Sequence, residues 1–92
     1  MSYRGRNQIK AVYDNGGKTF DRYTVVFKDR QLYPDGINYY EGLGLSFNPD
    51  DPQGFSQHTV VHPDHLKTNG LGRKISFSDL PENVQKHVLK RI

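Results

Sequence analysis

Asp14, Lys18, Asp21 and Arg22 bring two carboxylates and two cations together around the glycines of Asn15-Gly16-Gly17. Cations beside main chain freed by glycine can hold an anion: Lys18 and Arg22 donate from side chains, and exposed glycine N–H groups form a nest. The same charges can instead close on one another across a turn, where exposed pairs contribute about 0–1 kcal/mol. Gly17-Lys18-Thr19 invites comparison with the nucleotide-binding P-loop, but Val12 stands where that motif requires its first glycine. The residues that follow read as a strand, so no helix N-terminus is in place to receive a phosphate.

Further candidates lie in the second half of the chain. In Gln53-Gly54-Phe55-Ser56-Gln57-His58 a large aromatic follows a glycine and is flanked by amides. An exposed Phe55 is a recognition anchor; a buried one is core. Arg73 and Lys74 add cations to a binding set that comprises Asp14, Asn15, Lys18, Asp21, Arg22, Gln53, Phe55, Gln57, His58, Arg73 and Lys74. His58, His62 and His65, with Asp64, are zinc-ligand types, but Pro63 keeps His62 and the residues before it off one regular helix. Surface-loop histidines are the expected reading, and no metal or cofactor is assigned. Asp50 and Asp51 form an adjacent acid pair, yet neighbouring carboxylates on an extended loop point apart. Tyr3, Arg4, Arg6 and Lys10 can track a phosphate backbone. No helix-turn-helix, zinc-finger or RNP-type pattern accompanies them, so a solubilising tail is the expected reading. With no complete catalytic constellation, a binding protein is expected rather than an enzyme.

These residues need elements to hold them. Ile9 to Tyr13 and Tyr23 to Phe27 read as antiparallel strands on either side of the Asn15-Gly16 turn. The second has apolar residues on both faces and is expected at the centre of the sheet. Lys28 to Gly36 reads as a turn region closed by Pro34-Asp35-Gly36, and Ile37 to Phe47 as a third strand. Gly42 and Gly44 leave one face of that strand bare, open to a ligand or to a packed helix. Asn48 to Gly54 is loop, Phe55 to Val61 a short strand, His62 to Gly72 irregular, and Arg73 to Phe77 a last strand. For the C-terminal helix, Asp79 is the expected N-cap, with Glu82 completing a capping box and Pro81 in the first turn. Leu80, Val84, Val88 and Ile92 then share one stripe, with Leu89 beside it. The expected fold is α+β: an antiparallel sheet of three to five strands with one C-terminal helix packed on it.

Composition bounds the rest. Ninety-two residues suit one domain, read as residues 8–92 behind a flexible basic lead-in over residues 1–7. Hydrophobic residues make up 34% of the chain, below the ordinary level of roughly 45–50%, so six Tyr and five Phe must supply much of the core. The absence of cysteine excludes disulfides, thiolate zinc sites and a cysteine nucleophile, in keeping with a reducing cytoplasm. A formal charge of +3 and a pI near 9.3 favour acidic partners without identifying one. Neither an export signal nor a membrane span is expected.

Three blocks carry a resemblance. Residues 13–26 (YDNGGKTFDRYTVV), Gly44 to Pro49 with Gln53 to His58, and Leu71 to Pro81 resemble, in that order, a family of small uncharacterised proteins of tailed phages and mobile elements. The resemblance implies a mobile-element setting and expression in the host cytoplasm; taken with the absence of a complete catalytic constellation, it leads to the expectation of an accessory protein that binds a host or phage macromolecule, a protein in the first instance and nucleic acid or a small anionic ligand as the alternative. It implies no catalytic residue and leaves the oligomeric state open.

Overall fold

Short runs of alternating apolar and polar residues, separated by Gly, Pro and Asn, build strands β1 (Ile9–Asp14), β2 (Tyr23–Leu32), β3 (Asn38–Leu45), β4 (Ser56–Val61) and β5 (Arg73–Ile75), followed by helix α1 (Glu82–Lys90). The structure is a computed structural model that describes residues 8–68 and 70–91. The basic lead-in expected over residues 1–7, Asn69, and the Ile92 end of the helical stripe lie outside the described residues. The strands form one sheet in the order β4-β3-β2-β1-β5, with every neighbouring pair antiparallel, so the fold is α+β and β2 is central.

Both sheet faces are covered. On one, Val12, Tyr23, Val25, Phe27, Leu43 and Leu45 are buried with Leu80, Val84 and Val88, the apolar stripe of the C-terminal segment. On the other, Ala11, Tyr13, Val26 and Val61 pack against Leu66 and Leu71, carried by the strap that runs from β4 to β5 across the sheet. The bare face expected at Gly42 and Gly44 therefore takes neither a ligand nor the helix, which lies on the Leu43 and Leu45 side. A Cβ at Gly42 would sit 3.1 Å from a Val61 methyl and 3.3 Å from a Thr59 methyl, and one at Gly44 would meet Asp21 at 3.7 Å. Neighbouring side chains close the space that the glycines leave.

Strands β3 and β4 are shorter than expected by one or two residues at their ends, and three further boundaries differ for local reasons. Strand β2 continues through the polar run Lys28 to Leu32 because, beyond an irregularity between Val26 and Arg30, it pairs with Tyr40, Tyr39 and Asn38. A ribbon projecting past the core is wet on both faces, and its polarity imitates a turn. Asp79 does not cap α1. Leu80 precedes a proline and is held extended at φ −70° and ψ 147°, so the helix starts only after Pro81. The Asp79 carboxylate instead accepts from the Ser76 N–H at 2.9 Å, closing a 3-10 turn over Phe77–Asp79 that ends β5 at Ile75. No helix among the described residues is long and apolar enough to cross a membrane.

Candidate functional site

The β1–β2 connection is a broad loop closed at its base by the Asn15 N–H donating to the Arg22 carbonyl at 3.0 Å. Two successive Asx turns shape it: the Gly16 N–H donates to Asp14 Oδ1 at 2.8 Å and the Gly17 N–H to Asn15 Oδ1 at 2.9 Å. The glycines adopt φ of 76° and 88°, a region that L side chains rarely enter. The Asn15 amide donates to Thr19 Oγ1 at 2.7 Å, and that hydroxyl donates to Asp21 Oδ1 at 2.6 Å. The expected glycine nest is thus closed, because its N–H groups already have acceptors.

The charges divide into a paired set and a free set. Arg22 grips Asp14 through Nε at 2.9 Å and Nη2 at 3.3 Å, and its guanidinium lies 5.3 Å from the centre of the Phe47 ring. Asp21 is taken up by Thr19. Lys18 makes no hydrogen bond or ion pair with the described residues and stands exposed. The self-paired turn is therefore present alongside one exposed cation: the carboxylates are consumed internally, and Lys18 has no partner among the described residues.

Facing the tip is the β3–β4 loop. Ser46 and Phe55 tie its base, with the Ser46 N–H donating to the Phe55 carbonyl at 3.0 Å and the Phe55 N–H to Ser46 Oγ at 2.9 Å. Helix α1 holds the loop from behind: Asn83 donates to Asn48 at 2.7 Å and His87 Nε2 lies 2.6 Å from Asp50 Oδ1. Asp50 and Asp51 do diverge, one onto the helix and the other into a turn that accepts from the Gln53 N–H at 2.9 Å. Far from being a freely solvated loop acid, Asp50 fastens the loop to the helix.

Between tip and loop lies a cavity of about 530 Å³, lined by Lys18, Phe20, Arg22, Phe47, Asp51 and Gln53 among others. Across Lys18 and Arg22 is a second concavity of about 520 Å³, lined by Asp14, Asn15, Gly16, Gly72 and Arg73. Six of the residues singled out from sequence, Asp14, Asn15, Lys18, Arg22, Gln53 and Arg73, thus border one continuous region. Others do not join it. Gln57 pairs in register with Gly44 and His58 with Leu43, along β4; Lys74 lies beyond Arg73 on the edge strand; and Asp21 leans toward Gly44. Phe55 is half-buried and backs the site instead of facing it, stacking on Phe20 with ring centres 5.3 Å apart. Sequence reasoning missed Phe20 and Phe47, which are 61% and 57% exposed. Large aromatics inside polar loops, beside Asp21-Arg22 and Asn48-Pro49, were the available signal.

The histidines do not converge. His58 Nε2 is bonded to the Glu41 carboxylate, while His62 and His65 lie near one another on the strap with ring centres 5.9 Å apart. The His62 Nδ1 accepts from the Asp64 N–H at 3.0 Å, an ordinary cap for the turn Pro63–Leu66. Among the described residues no group of three or more His, Cys, Asp or Glu could hold a metal ion. Ser56, His58 and Glu41 superficially suggest a hydrolytic triad. The Ser56 hydroxyl, however, is buried with no hydrogen-bond partner, so no base activates it.

Two carboxyls make the site region acid-sensitive. The Arg22 hydrogen bond holds Asp14 below the usual carboxylate range, and the His87 hydrogen bond does the same for Asp50. A carboxyl with a depressed folded-state pKa adds stability that is complete above its unfolded value of about 3.9 and is lost as pH falls through the folded value. Urea unfolding between about pH 2 and 5 should therefore show stability falling on acidification, with a shallower fall in Asp14→Asn and in Asp50→Asn. Parallel curves for wild type and both variants would remove these pairs as the cause.

No protein-family model, no curated protein and no solved structure matches this chain.

Proposed function

We propose that this protein is a non-enzymatic binding module that takes a polyanionic macromolecule on the face formed by the β1–β2 tip, the β3–β4 loop and the start of β5. The observation that carries this reading is the convergence of Lys18, Arg22 and Arg73 on adjoining concavities while the neighbouring carboxylates Asp14 and Asp21 are bonded internally. Such a face presents Lys18 and Arg73 from an ordered main chain, so binding avoids the backbone ordering cost that a flexible basic tail would carry. The internally bonded tip is preorganised, which favours binding over loop rearrangement. An accessory role of the kind implied by the resemblance to a phage-borne family needs a docking face and no catalytic group.

The test is a salt titration of heparin and nucleic-acid binding to the purified protein, with the double variant Lys18→Glu/Arg73→Glu beside it. Wild-type affinity should fall steadily with salt, the double variant should bind at least about tenfold more weakly near 0.1 M salt, and its salt slope should be shallower. Arg22 is left intact because it also holds Asp14. Salt-independent binding, or a variant that folds and binds like wild type, would overturn the proposal.

A further inference from the structure

The two concavities differ in chemistry, and the difference specifies a ligand. The second is bordered by Lys18, Arg73 and the Arg22–Asp14 pair, in which Arg22 neutralises the carboxylate, so Lys18 and Arg73 are the cations it offers a phosphate. The first is aromatic. Phe20 is backed by Phe55 with ring planes 30° apart, and Phe47 is backed by Tyr23 with planes 27° apart and by the Arg22 guanidinium. Each exposed ring thus has a stacked partner and also lines the cavity. Supported rings hold their orientation and lose little entropy when a flat group stacks on them.

The polar groups of this cavity complete the pattern. Asp51 and Gln53 border the same space as Phe20 and Phe47. Asp51 accepts one N–H from the Gln53 main chain through Oδ1, so Oδ2 stays open, and the exposed Gln53 amide can both donate and accept. A carboxylate repels phosphate but accepts from a base amino group, as an amide also does. A flat heterocycle with exocyclic amino groups satisfies the aromatic cavity, and its backbone phosphate satisfies the cationic one across the Lys18–Arg22 ridge. A volume near 530 Å³ falls within the range of roughly 300–1,000 Å³ typical of ligand cavities. A duplex presents stacked bases whose faces are hidden, whereas a single strand can turn one out.

We infer that the polyanion is a single-stranded nucleic acid, one base of which enters between Phe20 and Phe47 while its phosphates follow Lys18 and Arg73. This deepens, and rests on, the binding role proposed above. Gln53 and Asp51 act as positioning residues that read the base edge.

Fluorescence anisotropy with a labelled mixed-sequence single-stranded DNA, the same sequence as RNA, its duplex, and heparin tests this on the full chain. The single strands should bind at least about tenfold more tightly than the duplex at equal salt. Phe47→Leu and Phe20→Leu keep apolar bulk but remove the π face. Each should lose roughly 5- to 150-fold in single-strand affinity, the equivalent of one base stack, while heparin binding and the melting temperature stay close to wild type. A ratio of RNA to DNA affinity far from one would assign the natural strand; near one, the site reads bases and phosphates alone, and both results support the inference. Duplex or heparin binding as tight as the single strand, or unchanged single-strand affinity in both folded leucine variants, overturns this inference and leaves the binding role standing. No binding to any probe overturns both.

Discussion

Phe27→Ala should remove a large part of the protein's stability. The side chain is 1% exposed on the central strand and belongs to the cluster that includes Val12, Val25, Leu43, Leu80, Val84 and Val88. Truncating a buried Phe removes its transfer energy and leaves a cavity, a loss of about 3–5 kcal/mol. The whole domain, 92 residues at about 0.05–0.15 kcal/mol per residue, has on the order of 5–14 kcal/mol in hand. The site depends on the same cluster, because Tyr23, at the base of the hairpin, and Val84 and Val88, on the helix that anchors the β3–β4 loop, all belong to it. Phe27→Leu, which keeps most of the volume, should lose under about 1.5 kcal/mol. Phe47→Ala, at an exposed ring, should cost about 0.5–1 kcal/mol while weakening single-strand binding. Urea denaturation followed by circular dichroism separates the three. A Phe27→Ala midpoint indistinguishable from that of Phe47→Ala would mean that the sheet–helix cluster is not what holds the fold.

What could be read before the structure follows from how local each determinant is. The central position of β2 was legible because burial on both faces is written into adjacent residues: Val25 faces the helix and Val26 faces the strap. The stripe Leu80, Val84, Val88 was legible for the same reason. The helix start was not, because Asp79 and Glu82 satisfy a capping pattern while the restriction that Pro81 places on Leu80 decides the matter. At the site, the tip residues were found as a set because they are close in sequence. The pairing that sorts them into consumed carboxylates and a free Lys18 depends on which atoms meet across the loop. Phe20 and Phe47 were missed because sequence marks one only as an aromatic in the tip and the other as the end of the third strand. Their exposure beside the cavity depends on Phe55 and Tyr23, which stack on them from other parts of the chain. The histidines weighed as zinc-ligand types do not converge because β4 carries His58 away from His62 and His65 on the strap.

Gly72→Ala should displace the hairpin tip and so link stability to binding. Gly72 adopts φ of 97°, and a Cβ there would lie 2.4 Å from the Asp14 carbonyl oxygen and 2.5 Å from the Asn15 Cα. Those atoms are main chain at the base of the tip, so nothing flexible can give way. The left-handed backbone costs about 1–2 kcal/mol and the overpacking a further 1–3 kcal/mol, for a total of about 2–5 kcal/mol. Relief requires β5 and the tip to separate, and that parts Arg73 from Lys18. The matched control is Gly16→Ala, which has a similarly positive φ of 76° but nothing within 4 Å of its Cβ. That variant should show the conformational cost alone, about 1–2 kcal/mol, with the tip in place and polyanion affinity changed less than about threefold. Gly72→Ala should lose both stability and at least about tenfold in affinity, and its affinity should remain low under conditions where the protein is still folded. Equal destabilisation in the two variants would show that the close approach of β5 to the tip is unimportant. Full affinity in a folded Gly72→Ala would separate Arg73 from the binding face altogether.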